Sequence, residues 1–593
     1  MSKWMVAAKR ADFQKIAQDF QISPVLARII RNRDVIREED IRKFLYGTLD
    51  DLYEPELLKD MDKAVSILIE KIEAGKKIRI IGDYDIDGVC STYILYKGLS
   101  YCHADVDTAI PHRMKDGYGL NENLIQEAYD SGADTILTCD NGIAAFSQIE
   151  YANSLGMTVV ITDHHEVPYE EKDGERRYII PNAAAIVDPK QEACDYPFPE
   201  ICGAVVAYKL ILQLIAKLQK TDWKYVMKSE LGFELMEFAA FATIGDVMEL
   251  KDENRIIVKC GLEFMRNTRN IGLKALMDAT GTNPLNVKPY TIGFVLGPCL
   301  NATGRLDSAV SALELFKAED RAIAATIAGN LKSMNDSRKE LTLDGVEEAI
   351  AQVEERGYEK DKVLVIYLPN VHESLAGIIA GRIREKYGKP TFVLTNAEEG
   401  VKGSGRSIEA FHMYDEMTKC KELFTKYGGH KLAAGLSLPK ESIDKFRQCL
   451  NDNCKLTLED FEEKVLIDVP MPMEYASIPF IEELDRLEPF GNGNSKPLFA
   501  QKNIRFQKGR ILGQNQNVGK YTVADEAGKQ YELIYFGDIE TLNDYMRQKF
   551  GETSVDSLYN GNCQDIYMSV AYYPDVNEFR GNVSVQMVMK YYQ

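Results

Sequence analysis

The chain has 593 residues, 45% hydrophobic and 27% charged, values ordinary for a soluble globular protein, and it is too long for one core, so three or four domains are expected. No apolar run approaches the roughly 18 residues of a membrane span, and the opening MSKWMVAAKR has no long apolar stretch before a cleavage site, so neither a membrane nor a secreted protein is expected and the cytoplasm is the default. The formal net charge of −20 argues against a nucleic-acid partner unless a local basic groove or metal ions offset it, and the 11 scattered cysteines, with no C-x-x-C pair, argue against a disulfide framework or a thiolate zinc site.

Residues 1–60 read as helical and charged, punctuated by Pro24 and Pro55. An α/β rhythm then begins. MDKAVSILIEKIEAGKK has apolar residues at helical spacing, and KIRIIGDYD follows as a strand. DTAIPHR, ADTILTCDNG and MTVVITDHHE read as further strands, separated by the helices ENLIQEAYDSG and AAFSQIEYANSLG. Alternation with short loops predicts a mostly parallel sheet covered by helices. Residues 200–350 read as mainly helical, ending in a long connecting helix over 311–355. A second α/β unit opens at KVLVIYLPN and ends near residue 455, and after about 460 short alternating strands predict a small β-barrel. The expected divisions are 1–60, 61–310, 311–355, 356–458 and 459–593.

One stretch, IRIIGDYDIDGVCSTYIL, sets Asp83, Asp85 and Asp87 on alternate positions where a strand ends and a helix opens. Further strands end in Asp140 and in Asp163-His164-His165, and an apolar helix ends in Asp246. Each alone is a turn or a cap. In an open parallel sheet, however, the C-terminal strand ends form the ligand edge, so these acids should converge there. Crowded carboxylates with an imidazole suit Mn²⁺ or Mg²⁺. Two such ions about 3.5–4 Å apart are the apparatus of in-line phosphoester hydrolysis.

GDYDIDG, TCDNG, ITDHHE and IGDVMEL resemble the four motifs of the DHH phosphoesterase superfamily. IPHRMKDGYGL, AIVDPKQ and GPCLNATGRLDSA narrow the resemblance to the RecJ-type single-strand exonucleases; GSGRSI and YGGHKLAAG resemble their DHHA1 domain, and LEPFGNGNSKPLF and EFRGNVSVQMVMK their OB domain. The resemblance covers nearly the whole chain and implies an α/β fold: a DHH-type parallel-sheet core, a long connecting helix, a DHHA1 α/β domain and a C-terminal OB β-barrel. It implies a two-metal exonuclease that degrades single-stranded DNA from the 5′ end to mononucleotides in repair and recombination, with a helicase and a single-strand-binding protein as partners. Carried over, Asp85, Asp87, Asp140, His164 and Asp246 are the metal ligands, with Asp140 bridging. Asp83 sits near a metal, Asp163 supports its neighbour, and His165 and Arg305 stabilise charge at the phosphate. Arg113 contacts DNA phosphates, Ser404 and Arg406 hold the 5′ end, and Gly428, Gly429 and His430 form a loop facing the active site.

In Gly403-Ser404-Gly405-Arg406-Ser407 the glycines let backbone N–H groups approach an anion while Arg406 adds a forked donor. His112, His372 and His412 read as structural. Tyr521, Tyr531 and Tyr535 are stacking candidates in the barrel, with barrel core as the plainer role. Two positions depart from the family pattern: Ile81 stands where many superfamily members have a ligating histidine, and Cys299 where RecJ proteins commonly have arginine. Two alternatives stay open, a DHH phosphoesterase for oligoribonucleotides or cyclic dinucleotides and an inactive nuclease-derived binding module.

Overall fold

Four short β-branched runs, IRII, TILTC, TVVIT and AIV, are buried along most of their length, as expected of strands covered on both faces. In the computed structural model, which describes residues 2–112, 119–172, 175–306, 308–397, 400–513, 516–579 and 581–593, they form one sheet. Its strands are β1 (Ile78–Ile81), β2 (Val106–Ala109), β3 (Thr135–Cys139), β4 (Thr158–Thr162) and β5 (Ala185–Val187). The order is β2-β1-β3-β4-β5, all parallel. Sequence order therefore reverses between β1 and β3, and the ligand crevice of such a sheet lies at that switch.

Helices α1 (Ile86–Tyr101), α2 (Gly203–Gln219) and α3 (Glu230–Gly245) are apolar on most faces and accordingly buried. The connecting segment differs from the single helix expected over 311–355. A short helix, Val310–Lys317, stops first, and Asp320 then caps α4 (Arg321–Glu355), accepting from the amides of Ala322 and Ile323.

Beyond α4, a second sheet runs β9-β10-β8-β7-β6, with β6 Leu364–Tyr367, β7 Thr391–Asn396, β8 Val401–Arg406, β9 Lys426–Gly429 and β10 Ala433–Leu438. Helix α5 (Glu373–Tyr387) packs with α4 on β6 through Ile379, Ile383, Ala349 and Val353. Cys420 and Cys449 are disulfide-bonded here, a bond the scattered cysteines gave no reason to expect; the other nine are free. Spacing carries no such signal, because the pair is joined by packing across 29 positions.

These elements belong to one compact unit, Leu52–Met248 with Ile256–Glu462; the other unit comprises Met1–Asp51, Glu249–Arg255 and Glu463–Gln593. In the latter, strands β11 (Phe499–Leu512), β12 (Val518–Ala524), β13 (Gln530–Phe536), β14 (Ile566–Phe579) and β15 (Asn582–Tyr592) follow the order β11-β12-β13-β15-β14. A further pairing joins β11 to β14. The N-terminal region is helical as expected, except that Lys3–Val6 is a strand, paired in parallel with Lys464–Ile467.

Candidate metal centre

The strand ends do converge. Asp83 follows β1, Asp85 caps α1 by accepting from the Gly88 amide at 3.0 Å, and Asp87 lies in the first turn of that helix. Asp140 follows β3, Asp163 follows β4, and Asp246 is the C-cap of α3. His164 Nε2 stands 3.1 Å from Asp140 Oδ1, 3.4 Å from Asp87 Oδ2 and 3.9 Å from Asp246 Oδ2. Three sets of donor atoms lie within 4.8 Å of one another: Asp83-Asp85-Asp140, Asp87-His164-Asp246 and Asp140-His164-His165. Asp140 joins two of these sets. It also holds a φ of +59°, a left-handed conformation that aspartate tolerates better than most residues.

Asp163 lies beside this cluster as a support. Its carboxylate accepts from the amides of Ile143 (2.9 Å), His164 (2.7 Å) and His165 (3.2 Å) and meets His165 Nδ1 at 2.7 Å. Burial opposes ionisation of Asp163, but the hydrogen bond and charge of His165 outweigh it and hold the carboxyl below its usual range. Burial likewise opposes the charged form of His165, yet its bond to Asp163 pushes it up to about 9. The other acids go the opposite way. Burial and then Asp85 push Asp83 up to about 7; burial, then Asp87 and Asp85, push Asp246 up to about 8. Burial and Asp87 also raise Asp85 and Asp140. The chain's own groups thus leave these carboxylates costly to ionise, a deficit that divalent cations would fill. Asp83 Oδ2 is buried with no hydrogen-bond partner among the described residues, which fits the same conclusion.

Sequence reasoning missed several residues of this centre. The amides of Gly203 and Ala204, at the start of α2, donate to Asp87 Oδ2 and Oδ1 at 2.6 and 2.8 Å. A Cβ at Gly203 would come within 2.8 Å of Asp140 Cβ, so only glycine allows this approach; the signal was a glycine opening the apolar run GAVVAYKLIL. Asn141 Nδ2 donates to the carbonyls of Ile81 and Cys139, tying β1 to β3 beneath the acids. Asp188, buried after β5, is pushed up to about 8 by burial and then Asp163.

The accessory motifs need correction. β8 is paired on both sides, so the amides of Gly403-Ser404-Gly405 are spent in sheet ladders and form no anion nest. The glycines make room instead, since a Cβ at Gly405 would lie 2.5 Å from Met413 Sδ and one at Gly403 2.2 Å from Leu394 Cδ2. Ser404 and Arg406 alternate onto one face of β8. Gly428 and Gly429 lie in strand β9 rather than in a loop, with His430 exposed beyond its end. Ser404 and Gly428 line a cavity of ≈ 430 Å³ together with Lys402, Lys426, Tyr427 and, from the turn between Asp83 and Asp85, Tyr84. Arg113 and the side chain of Arg305 lie outside the described residues. His372 and His412 are helix N-caps. Tyr521 is barrel core, with Tyr531 and Tyr535 packed against it. Ile81 and Cys299 are both buried.

Family models match three stretches: the DHH family N-terminal domain over 77–242, the DHHA1 domain over 360–456 and the RecJ OB domain over 467–591. The single-stranded-DNA-specific exonuclease RecJ of Salmonella typhimurium is 30% identical over 589 residues, 96% of this chain and 95% of that protein. The chain belongs to the RecJ family. The Bacillus subtilis RecJ is 34% identical over 535 residues; the match covers 89% of this chain and 65% of that longer relative. The crystal structure of Thermus thermophilus RecJ in complex with Mn²⁺ superposes with a TM-score of 0.80 at 25% identity, covering all of this chain and 79% of that one. No helix among the described residues is long and apolar enough to cross a membrane.

Proposed function

We infer that the chain is a divalent-metal-dependent exonuclease that hydrolyses single-stranded DNA, working from the 5′ end to mononucleotides in cytoplasmic DNA repair and recombination. The observation that carries this reading is the buried acidic centre at the switch point of a RecJ-family sheet, with carboxylates raised by burial and mutual repulsion. Asp85, Asp87, Asp140, His164 and Asp246 would hold two Mn²⁺ or Mg²⁺ ions, with Asp140 shared and Asp83 flanking. When bound, such ions supply Lewis-acid stabilisation of phosphoryl charge and a deprotonated water at neutral pH.

The chain's own residues do the rest. The α2 amides fix both oxygens of Asp87. Asp163 holds a proton at His165 Nδ1 and fixes the ring, leaving a cationic imidazole, 44% exposed, for an anionic phosphoryl oxygen. Arg305 and Arg113 add cations along the strand, and Ser404 with Arg406 anchors the 5′ phosphate beside the cavity that holds Gly428. The OB unit holds the downstream strand, and a helicase and a single-strand-binding protein deliver the DNA. The test is mononucleotide release from 5′-labelled single strands in Mn²⁺, against oligoribonucleotide, cyclic dinucleotide and chelator controls. Metal-dependent release from the 5′ end is expected; preferential turnover of either alternative substrate, or none at all, would overturn the reading.

A further inference from the structure

Two large aromatic side chains one helical turn apart stand about two-thirds exposed. Tyr290 is 68% and Phe294 67% exposed, and their rings stack with centroids 4.8 Å apart, 24° from parallel. They lie where a helical turn, Pro289–Thr291, runs into a π-helical turn, Ile292–Leu296. π-turns are rare and frequent at functional sites. The opposite face of this segment is core, with Ile292 and Leu296 fully buried. An i,i+4 side-chain pair adds little to a helix, a small return for two solvent-facing rings.

Position relates the pair to the metal centre. The chain continues from the π-turn into the helix Gly297–Leu306. A Cβ at Gly297 would lie 2.9 Å from Ile86 Cδ1, and one at Gly304 2.8 Å from the Tyr84 carbonyl; these two residues bracket Asp85. Ile86 in turn is so close to Gly245 that a Cβ there would lie 2.5 Å from its Cγ2, and Gly245 precedes Asp246. Phe294 precedes Gly297 by about one helical turn, roughly 5 Å of axis. The segment that carries the exposed rings thus runs directly into the helix packed against Tyr84 and Ile86, and the side chain after Asp246, Val247, is exposed as well.

We propose that Tyr290 and Phe294 form a stacking platform for one or two bases of the single strand whose phosphodiester lies at the metal centre. The inference rests on the nuclease reading, which supplies a ligand with π-faces next to its scissile phosphate. Every base has such a face, so the platform is sequence-tolerant.

The test measures binding of the full chain to 5′-phosphorylated single strands in metal-free buffer, with an abasic nucleotide moved through successive positions. Wild type is expected to lose about tenfold in affinity at one or two positions near the 5′ end. Tyr290→Ala/Phe294→Ala should weaken binding to the intact strand by a similar factor and flatten that abasic profile. Tyr290→Leu/Phe294→Leu, which keeps apolar area and helix propensity, should behave like the alanine pair, whereas Tyr290→Phe should behave like wild type. An unchanged affinity and profile in the alanine pair, or full retention in the leucine pair, would overturn the platform. If wild type neither binds nor cleaves single strands, it is the nuclease reading that has failed.

Discussion

Buried charge is treated in opposite ways in the two units. In the OB-containing unit two buried charges are satisfied internally. Asp468 is buried against Arg33, Nη1 to Oδ1 at 2.5 Å, and also accepts from the Leu498 amide. Arg255, 2% exposed, spreads its guanidinium over the carbonyls of Phe44, Arg486, Leu487, Glu488 and Pro489 and lies on the Phe44 ring. In the catalytic sheet, Asp83, Asp85, Asp140 and Asp246 are packed together and raised. A satisfied buried charge points to architecture. A buried cluster costly to ionise points to something the chain must acquire.

The contrast can be broken, from the largest expected effect downward. Asp140→Ala should reduce Mn²⁺-dependent hydrolysis to background while leaving the circular-dichroism spectrum intact, because one shared carboxylate serves two of the donor sets. It also removes one of the repelling charges, which offsets the strain of alanine at a φ of +59°, so the metal-free variant should melt close to wild type; near-normal turnover would refute the assignment. Asp468→Ala should do the reverse. Leaving Arg33 buried and unpaired should destabilise the OB-containing unit by about 3–5 kcal/mol in a denaturant melt, with the metal centre's affinity for Mn²⁺ unchanged.

Asp163→Asn should keep metal binding nearly intact but lower turnover by about 10–100-fold, since it loosens the ring of His165 without removing a proposed ligand. A pH profile separates this from misfolding: the variant's imidazole loses the partner that raises it, so the activity it supports should fall off at lower pH than in wild type.

A further effect is on stability against pH. Asp83 and Asp246 rise to about 7 and about 8 when folded, above the roughly 3.9 of an unfolded aspartate. The unfolded chain therefore releases these protons first, and the metal-free protein should lose stability as pH climbs from about 4 to about 8. Asp163 works against this slope at its acid end, losing its contribution as pH falls through its lowered value, whereas His165 adds to it, losing its contribution as pH rises from 6.5 through about 9. Mn²⁺ binds the ionised form, so the gain in Tm on adding it should grow with pH over that window. A gain independent of pH would mean the cluster is already ionised without metal.

What the sequence by itself determined is what is local and periodic. Runs such as TILTC and TVVIT are strands because β-branched residues recur there without polar interruption, and GDYDIDG, TCDNG and ITDHH sit at strand ends because glycine and aspartate end strands. The acids could therefore be named, and their convergence followed from parallel topology alone. Only the tertiary structure decided the rest. The amides of α2 reach Asp87 across 116 positions, the strand Lys3–Val6 finds its partner at Lys464–Ile467, and Cys420 meets Cys449. It also made Val401–Arg406 an interior strand, where its glycines relieve packing instead of baring amides. A four-residue strand, a helix N-terminus and a glycine carry the same local signature whatever they touch; their roles are fixed by which distant backbone comes within a few ångströms, and no periodicity encodes that.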